Sequence, residues 1–511
     1  MKKTLYYNKV KTQVRWTLSI CLLAFLPLLA SCSEDLNELP SQSKVDGNLV
    51  VDYASAKSAL NGVYYQYAIC GTDNYSVKST ACSMYYEILP ADMAGTATYY
   101  QGPYVLEEHD PSSLVNYCNN LWTSFYATVN AANAVIEQVG ASPDSYYTGS
   151  QKQEILGEAY GMRALTFYNL LRYFGYSWDI SSPYGILLRT SKSVATRLPI
   201  SRSSVKDTYD QILADLDYAI EHAPASTDNC YFGKWAAKTL KARVLMMRGQ
   251  GSDYRAAAAL CADIMQNSGL QLDAYEDIFH KNGLKSREMI FGIQPKENQT
   301  NVYEAYYYRN SAQYFPTESL LALYDRNGDP RKQSMYKVTP TTMFGYNPDG
   351  TSYTYYEDKY TICKHINPTT YNDSTKTFAA DELEETQYQM RLSEVYLLRA
   401  EALARTGDLA GAKSLLKTVE TQAGITHFTA LDAASTYMEV MTEIFDEAIK
   451  NFAFECGLEH DYMLRFPEEI TLKFNPAYQN RQYDVFPLPT DEFKYNHALN
   501  AADQNPGYSA E

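Results

Sequence analysis

The side chains in this sequence with the most to offer chemically are its tyrosines, 47 in number. Tyrosine joins a flat apolar face to a hydroxyl, so it can stack on a ligand and hydrogen-bond to it, or fill a core position that touches water. The tyrosines gather unevenly. Tyr99, Tyr100 and Tyr104 stand beside Gly95, Gly102 and Pro103, and Tyr303, Tyr306, Tyr307, Tyr308 and Tyr314 lead into Phe315. Tyr353, Tyr355, Tyr356 and Tyr360 follow, partly alternating as short strands require. Catalytic grammar is missing by comparison: there is no G-x-S-x-G turn for a nucleophile, no H-E-x-x-H pair and no phosphate-cradling glycine loop. Paired carboxylates for glycoside hydrolysis must stand ~5–9 Å apart, a separation set by the fold and not by spacing along the chain. The sequence therefore predicts no enzyme, no cofactor and no metal site. Asp325-Arg326-Asn327-Gly328-Asp329 opens like a calcium loop, but Tyr336 stands at its twelfth position where a bidentate glutamate belongs, and a plain turn is expected.

Charge narrows the partners. The 44 basic residues against 60 acidic ones give a net charge of −16, which opposes phosphate backbones and excludes nucleic acid as an expected partner. Lys2, Lys3, Lys9, Lys11 and Arg15 precede an apolar run from Trp16 to Ala30, too short to span a membrane comfortably and of the length of a signal h-region. The run ends in Leu29-Ala30-Ser31-Cys32, which resembles the bacterial lipobox, so residues 1–31 are expected to be removed and Cys32 to carry the lipid. Acidic Glu34 and Asp35 follow, similar to an outer-face export signal. The remaining cysteines show no C-x-x-C spacing. They are expected to act as small buried hydrophobes, with a Cys70–Cys82 bridge as the alternative.

Apolar residues at three- and four-residue spacing predict a mainly α chain. Ile155, Ala159, Met162, Thr166, Leu170 and Phe174 form one such face, ended by Gly175. Others are expected at about 52–68, 116–139, 203–222, 233–249, 253–267, 388–406, 409–422 and 440–456. Leu392 to Arg405, a Thr-Gly-Asp turn, and a second helix with Ala412, Leu416 and Val419 inward look like a tetratricopeptide hairpin, and 235–267 reads similarly. Glu158 and Arg163, echoed by Glu394 and Arg399, lie five apart and so point to different neighbours; structural ion pairs between helices are expected. Tyr160, Tyr168, Tyr173 and Tyr396 are read as packing residues. From about 276 to 387 turn signals take over, giving a loop-rich, partly β insertion.

Several segments carry a more specific resemblance. Leu121-Trp122 through Ala132-Asn133, Gly157-Glu158-Ala159 through Tyr173-Phe174-Gly175, and Arg391 to Ala402 resemble core helices of the SusD/RagB family. Phe486-Pro487-Leu488-Pro489 leading to Gln504-Asn505-Pro506-Gly507-Tyr508 is similar as well, as is the opening from Cys32 to Tyr65. Ala448 and Leu458 replace the family's usual basic residues, while Glu447, Glu455, Asp461 and Arg465 stand where the pattern has them.

The resemblance implies an outer-membrane, lipid-anchored receptor at the cell exterior, with tetratricopeptide-like hairpins on one side and a loop-built ligand side in residues 32–511. It implies a partner, a SusC-like TonB-dependent transporter, and a glycan ligand whose apolar C–H faces stack on aromatic planes. Carried onto this sequence, binding aromatics fall in the loop before the Trp122 helix and in the insertion: Tyr99, Tyr100, Tyr104, Tyr306 and Tyr307, with Gln101 and Asp92 as polar partners. Peptide capture and a surface scaffold without a small ligand are the alternatives.

Overall fold

The computed structural model describes residues 49–70, 91–99, 115–193, 199–225, 228–293, 312–375, 377–378, 386–476, 478, 481 and 484–510. The chain divides into residues 1–51 and 52–511, and every element below belongs to the second unit. Six helices come first: α1 (Tyr53–Ala68), α2 (Val115–Ala141), α3 (Gln151–Phe174), α4 (Val205–His222), α5 (Lys234–Arg248) and α6 (Asp253–Asn267). Each packs on the next. Local chemistry sets their ends: Asp52 accepts from the Ser55 amide at 2.7 Å to cap α1, and Gly249 closes α5 in the left-handed region that glycine tolerates.

Helix α3 is buried along nearly its whole length, with Tyr168 and Tyr173 wholly inside. Two glycines make that possible. A Cβ at Gly157 would lie 2.4 Å from the Ala223 backbone nitrogen, and one at Gly161 would lie 2.3 Å from the Phe232 ring. Gly161→Leu is therefore expected to destabilise the fold by ~1–3 kcal/mol through overpacking, seen as a lower urea midpoint at unchanged denaturant slope.

The insertion leaves and returns through a strand pair. The strand Met289–Ile293 runs antiparallel to a strand over Gln387–Arg391, and the chain then continues as the hairpin over Leu392–Arg405 and Leu409–Gln422. The helix expected from 388 thus begins at Leu392, because residues 387–391 are held in a sheet whose partner lies about 100 positions earlier. The Leu392 helix packs on α6 across the insertion, and Ala412, Leu416 and Val419 face inward as their spacing required. A long helix over Tyr437–Phe452 is capped by Thr436 and Glu439. The short helices Glu318–Asp325, Leu458–Arg465, Glu468–Phe474 and Thr490–Tyr495 have too few residues to announce a period and were not expected.

Three of the four expected residues reach neighbouring helices as the five-residue offset required, whereas Arg399 forms no ion pair among the described residues and donates to the Met265 sulfur at 3.6 Å. Arg163 meets Asp215 of α4 at 2.7 Å, Glu158 accepts from Tyr64 of α1 at 2.6 Å, and Arg243 of α5 grips Glu394 at 2.6 and 2.8 Å. Gly328 lies at φ +58° in a turn, and Asp329 bonds Arg331, so the Asp325–Asp329 segment is a structural turn. Cys70, Cys118, Cys261, Cys363 and Cys456 are buried as expected while Cys230 is exposed, and burial pushes the thiols of Cys70 and Cys363 up to about 12. Cys32 and Cys82 lie outside the described residues.

Candidate ligand-binding face

The two sequence regions singled out for aromatic content meet in one small ribbon. A strand over Ala97–Tyr99 runs antiparallel to one over Tyr314–Pro316, with Tyr99 opposite Tyr314 and Thr98 opposite Phe315. Their pairing is locked at one end by Thr317, whose amide donates to Thr96 at 3.1 Å and whose hydroxyl donates to Gly95 at 2.7 Å. The same hydroxyl caps the helix Glu318–Asp325, so one side chain fixes the ribbon to a rigid element. Gly95, at φ +78°, turns the chain into the first strand where a Cβ would lie 2.5 Å from the Asn475 side-chain nitrogen.

Side chains alternate across a strand, so Tyr99 and Tyr314 share one face while Phe315 points to the other. The two tyrosine rings lie 5.2 Å apart and tilted by 54°. Tyr314 is buried and Tyr99 partly exposed, an arrangement in which the inner ring supports an outer one. On the opposite face Phe315 packs with Ala312 and Met343. Met343 belongs to a long hairpin, Tyr336–Tyr346 paired with Ser352–Ile362, which this cluster ties to the ribbon.

That hairpin presents aromatics in two rows. Tyr353 and Tyr355 lie 6.0 Å apart on the Met343 face, with the Tyr353 ring over Gly345, where a Cβ would meet it at 2.4 Å. Phe344, Tyr346, Tyr356 and Tyr360 line the other face and are exposed, Tyr356 to 75%. The sequence marked the four tyrosines from 353 to 360 as a cluster with partial alternation. It gave no sign that they belong to an eleven-residue strand, because the partner strand carries a different composition.

The expected site residues fare unequally. Tyr99 stands on the ribbon. Tyr100, Gln101 and Tyr104 continue the chain directly from it, and Tyr306 and Tyr307 shortly precede Tyr314, but all five lie outside the described residues. Asp92 is corrected: it is 0% exposed, within a short helical turn over residues 91–94, which removes it from contact with a ligand arriving from solvent. Spacing alone could not separate it from its exposed neighbours. Tyr314, not selected as a site residue, is the partner that the fold gives to Tyr99. Among the described residues no cluster of histidine, cysteine or acidic side chains is arranged to hold a metal ion. Nor is any helix there long and apolar enough to cross a membrane.

Comparison with known proteins follows from this geometry. Residues 43–246 match the family described as starch-binding associating with outer membrane, and residues 275–508 match the SusD family. A SusD-like protein of Bacteroides ovatus is 28% identical over 183 residues, which is 34% of this chain and 32% of that protein, so the chain spans about a third of its relative's length. The crystal structure of a SusD superfamily protein from Bacteroides thetaiotaomicron shares the fold at 22% identity, covering 89% of this chain and all of that one with a TM-score of 0.65. A structure solved with a xylogluco-oligosaccharide aligns at 18% identity over 87% of this chain and 98% of that one, TM-score 0.66. With both family matches lying end to end along the helical core and the insertion that builds the aromatic ribbon, the chain belongs to the SusD/RagB family.

Proposed function

We propose that this protein captures a glycan at the outer surface of a bacterial outer membrane and passes it to a SusC-like TonB-dependent transporter, without chemical turnover. The observation that carries this reading is the Tyr99–Tyr314 pair, which draws the loop before the Trp122 helix and the mid-chain insertion into a single aromatic ribbon. Aromatic planes with polar groups near them suit sugar rings, whose C–H faces stack while their hydroxyls seek hydrogen bonds. The family's description as starch-binding and outer-membrane associated, and the oligosaccharide complex of a structural neighbour, support the ligand class. Lipidation at Cys32 after removal of residues 1–31 would supply the membrane attachment, leaving residues 32–511 as the binding part.

The test is isothermal titration of the purified protein with soluble glycans, including maltoheptaose and xylogluco-oligosaccharide, and with peptide digests. Binding on the micromolar scale is expected for a glycan, and Tyr99→Ala is expected to weaken it roughly tenfold, about 1.4 kcal/mol, for loss of one stacked ring. Glycan binding that Tyr99→Ala leaves unchanged would remove the ribbon from the site. Binding confined to peptides would replace the ligand class.

A further inference from the structure

A second feature lies apart from the ribbon, where the start of α2 meets the helix Thr490–Tyr495. A cleft of about 280 Å³ opens there, lined chiefly by Asn119, Trp122, Arg189, Asp491, Glu492 and Tyr495. Its floor is built in advance. Glu492 accepts from the Trp122 indole N–H at 3.0 Å, from Asn496 at 3.3 Å and from Arg189 at 3.4 Å, which fixes the carboxylate without covering it. Asn496 is itself buried and clamped, its amide donating to the Ile200 carbonyl at 2.8 Å and accepting from the Ile200 amide at 3.0 Å. The Asn119 side-chain oxygen is sealed from solvent and has no hydrogen-bond partner among the described residues. At the rim Tyr495 is 66% exposed, and the Lys494 ammonium lies over its ring at 4.9 Å.

The lining selects a ligand class. Fixed donors and acceptors alternate with one exposed aromatic plane, so an apolar ligand would leave polar groups unpaired. The Arg189–Glu492 pair offers a hydroxyl-bearing ligand a donor and an acceptor side by side, while its near-neutral sum gives a charged ligand little. The volume sits at the lower end of small-ligand sites, roughly 300 Å³ upward, which suits one or two sugar rings.

We propose that this cleft is a second saccharide subsite, in which Tyr495 stacks on a sugar ring while Asp491, Glu492 and Arg189 meet its hydroxyls. The inference rests on the glycan-binding reading but uses a different surface, so a long glycan could engage both. Binding two sites on one chain raises avidity without new contacts at either.

The test uses purified protein with maltoheptaose and xylogluco-oligosaccharide as probes. In a Tyr99→Ala background, Asp491→Ala with Tyr495→Ala should weaken the remaining binding roughly tenfold, the loss of one stacking plane and one charge-assisted bond. Both side chains are exposed, so the thermal midpoint should not move. Crystals soaked in either probe should show sugar against Tyr495. Residual binding unaffected by the double change, or sugar density at the ribbon alone, overturns the subsite and leaves the main reading standing. Binding lost through Tyr495 while Tyr99→Ala is silent supports the cleft and overturns the ribbon. No binding of either probe by folded protein overturns both.

Discussion

Replacing Arg391 by leucine is expected to lower the unfolding free energy by ~3–5 kcal/mol, the cost of leaving buried charge without its partner. Arg391 is almost wholly buried and gives every face of its guanidinium to a neighbour. It donates to both oxygens of Glu455 at 2.8 and 2.9 Å, to Glu288 at 2.9 Å and to the Asn451 carbonyl at 2.8 Å, and it lies over the Phe452 ring at 4.8 Å. The two carboxylates respond differently. Burial pushes the Glu288 carboxyl up, and Arg391 with the Ser393 hydroxyl only partly offsets it. Burial acts on Glu455 too, but Arg391 and Lys364 together outweigh it and hold that carboxyl below its ordinary range.

Loss of Arg391 therefore strands Glu288 first. It also removes a donor from the Asn451 carbonyl at the end of the Tyr437–Phe452 helix, just before the tight turn where Phe454 and Cys456 adopt positive φ. Urea unfolding measures the loss, and the companion is the triple variant Arg391→Leu, Glu288→Gln, Glu455→Gln. Because neutralising a whole network costs less than breaking it, the triple variant should recover part of the stability. A triple variant no better than the single one would mean that packing around the guanidinium, and not its charge, holds the junction where the insertion returns to the helices.

Stability should also fall from about pH 4.5 to 8, against the usual expectation for an acidic protein. Three carboxyls carry this effect. Burial pushes Asp484 up to about 7, with the Tyr478 hydroxyl bonded to it at 2.6 Å, and pushes Glu459 up to about 8 despite the Phe454 amide. Glu420 rises to about 8 through burial and then the nearby Glu447 charge. A carboxyl whose folded pKa exceeds its unfolded one gives stability that is complete below the unfolded value near 4 and is lost as pH rises through the folded value. Each group then contributes a slope of up to ~1.4 kcal/mol per pH unit.

Two contributions run the other way, but neither cancels the three carboxyls. Burial, followed by the Lys364 charge, lowers His365 to about 4, so its neutral ring adds stability as pH rises from 4 towards its unfolded value of 6.5. Burial opposes ionisation of Asp329, yet Arg331 and Lys450 hold it down at about 2, and its contribution disappears only in strong acid. Thermal midpoints taken from pH 4 to 8.5 should therefore decline from about 4.5 to 8, and Asp484→Asn should remove part of that decline. A midpoint that is flat or rising from about 4.5 to 8 would show that these carboxyls ionise in the folded protein without cost.

The sequence by itself determined the helical rows, because a period of three to four residues and the capping chemistry of Asp52 or Gly249 act within a few positions of the chain. It also determined that Glu158, Arg163 and Glu394 must look to neighbouring helices, since residues five apart do not share a helix face. Only the tertiary structure decided which partners they found, and that residues 387–391 leave helical geometry for a strand pair with Met289–Ile293. The ligand face divides in the same way. Composition exposed the aromatic loops, but the register that sets Tyr99 against Tyr314, the burial that removes Asp92, and the cleft in which Trp122 meets Glu492 across 370 positions all depend on long-range closure. Such closures are selected by the packing free energy of the whole fold, which no local period records.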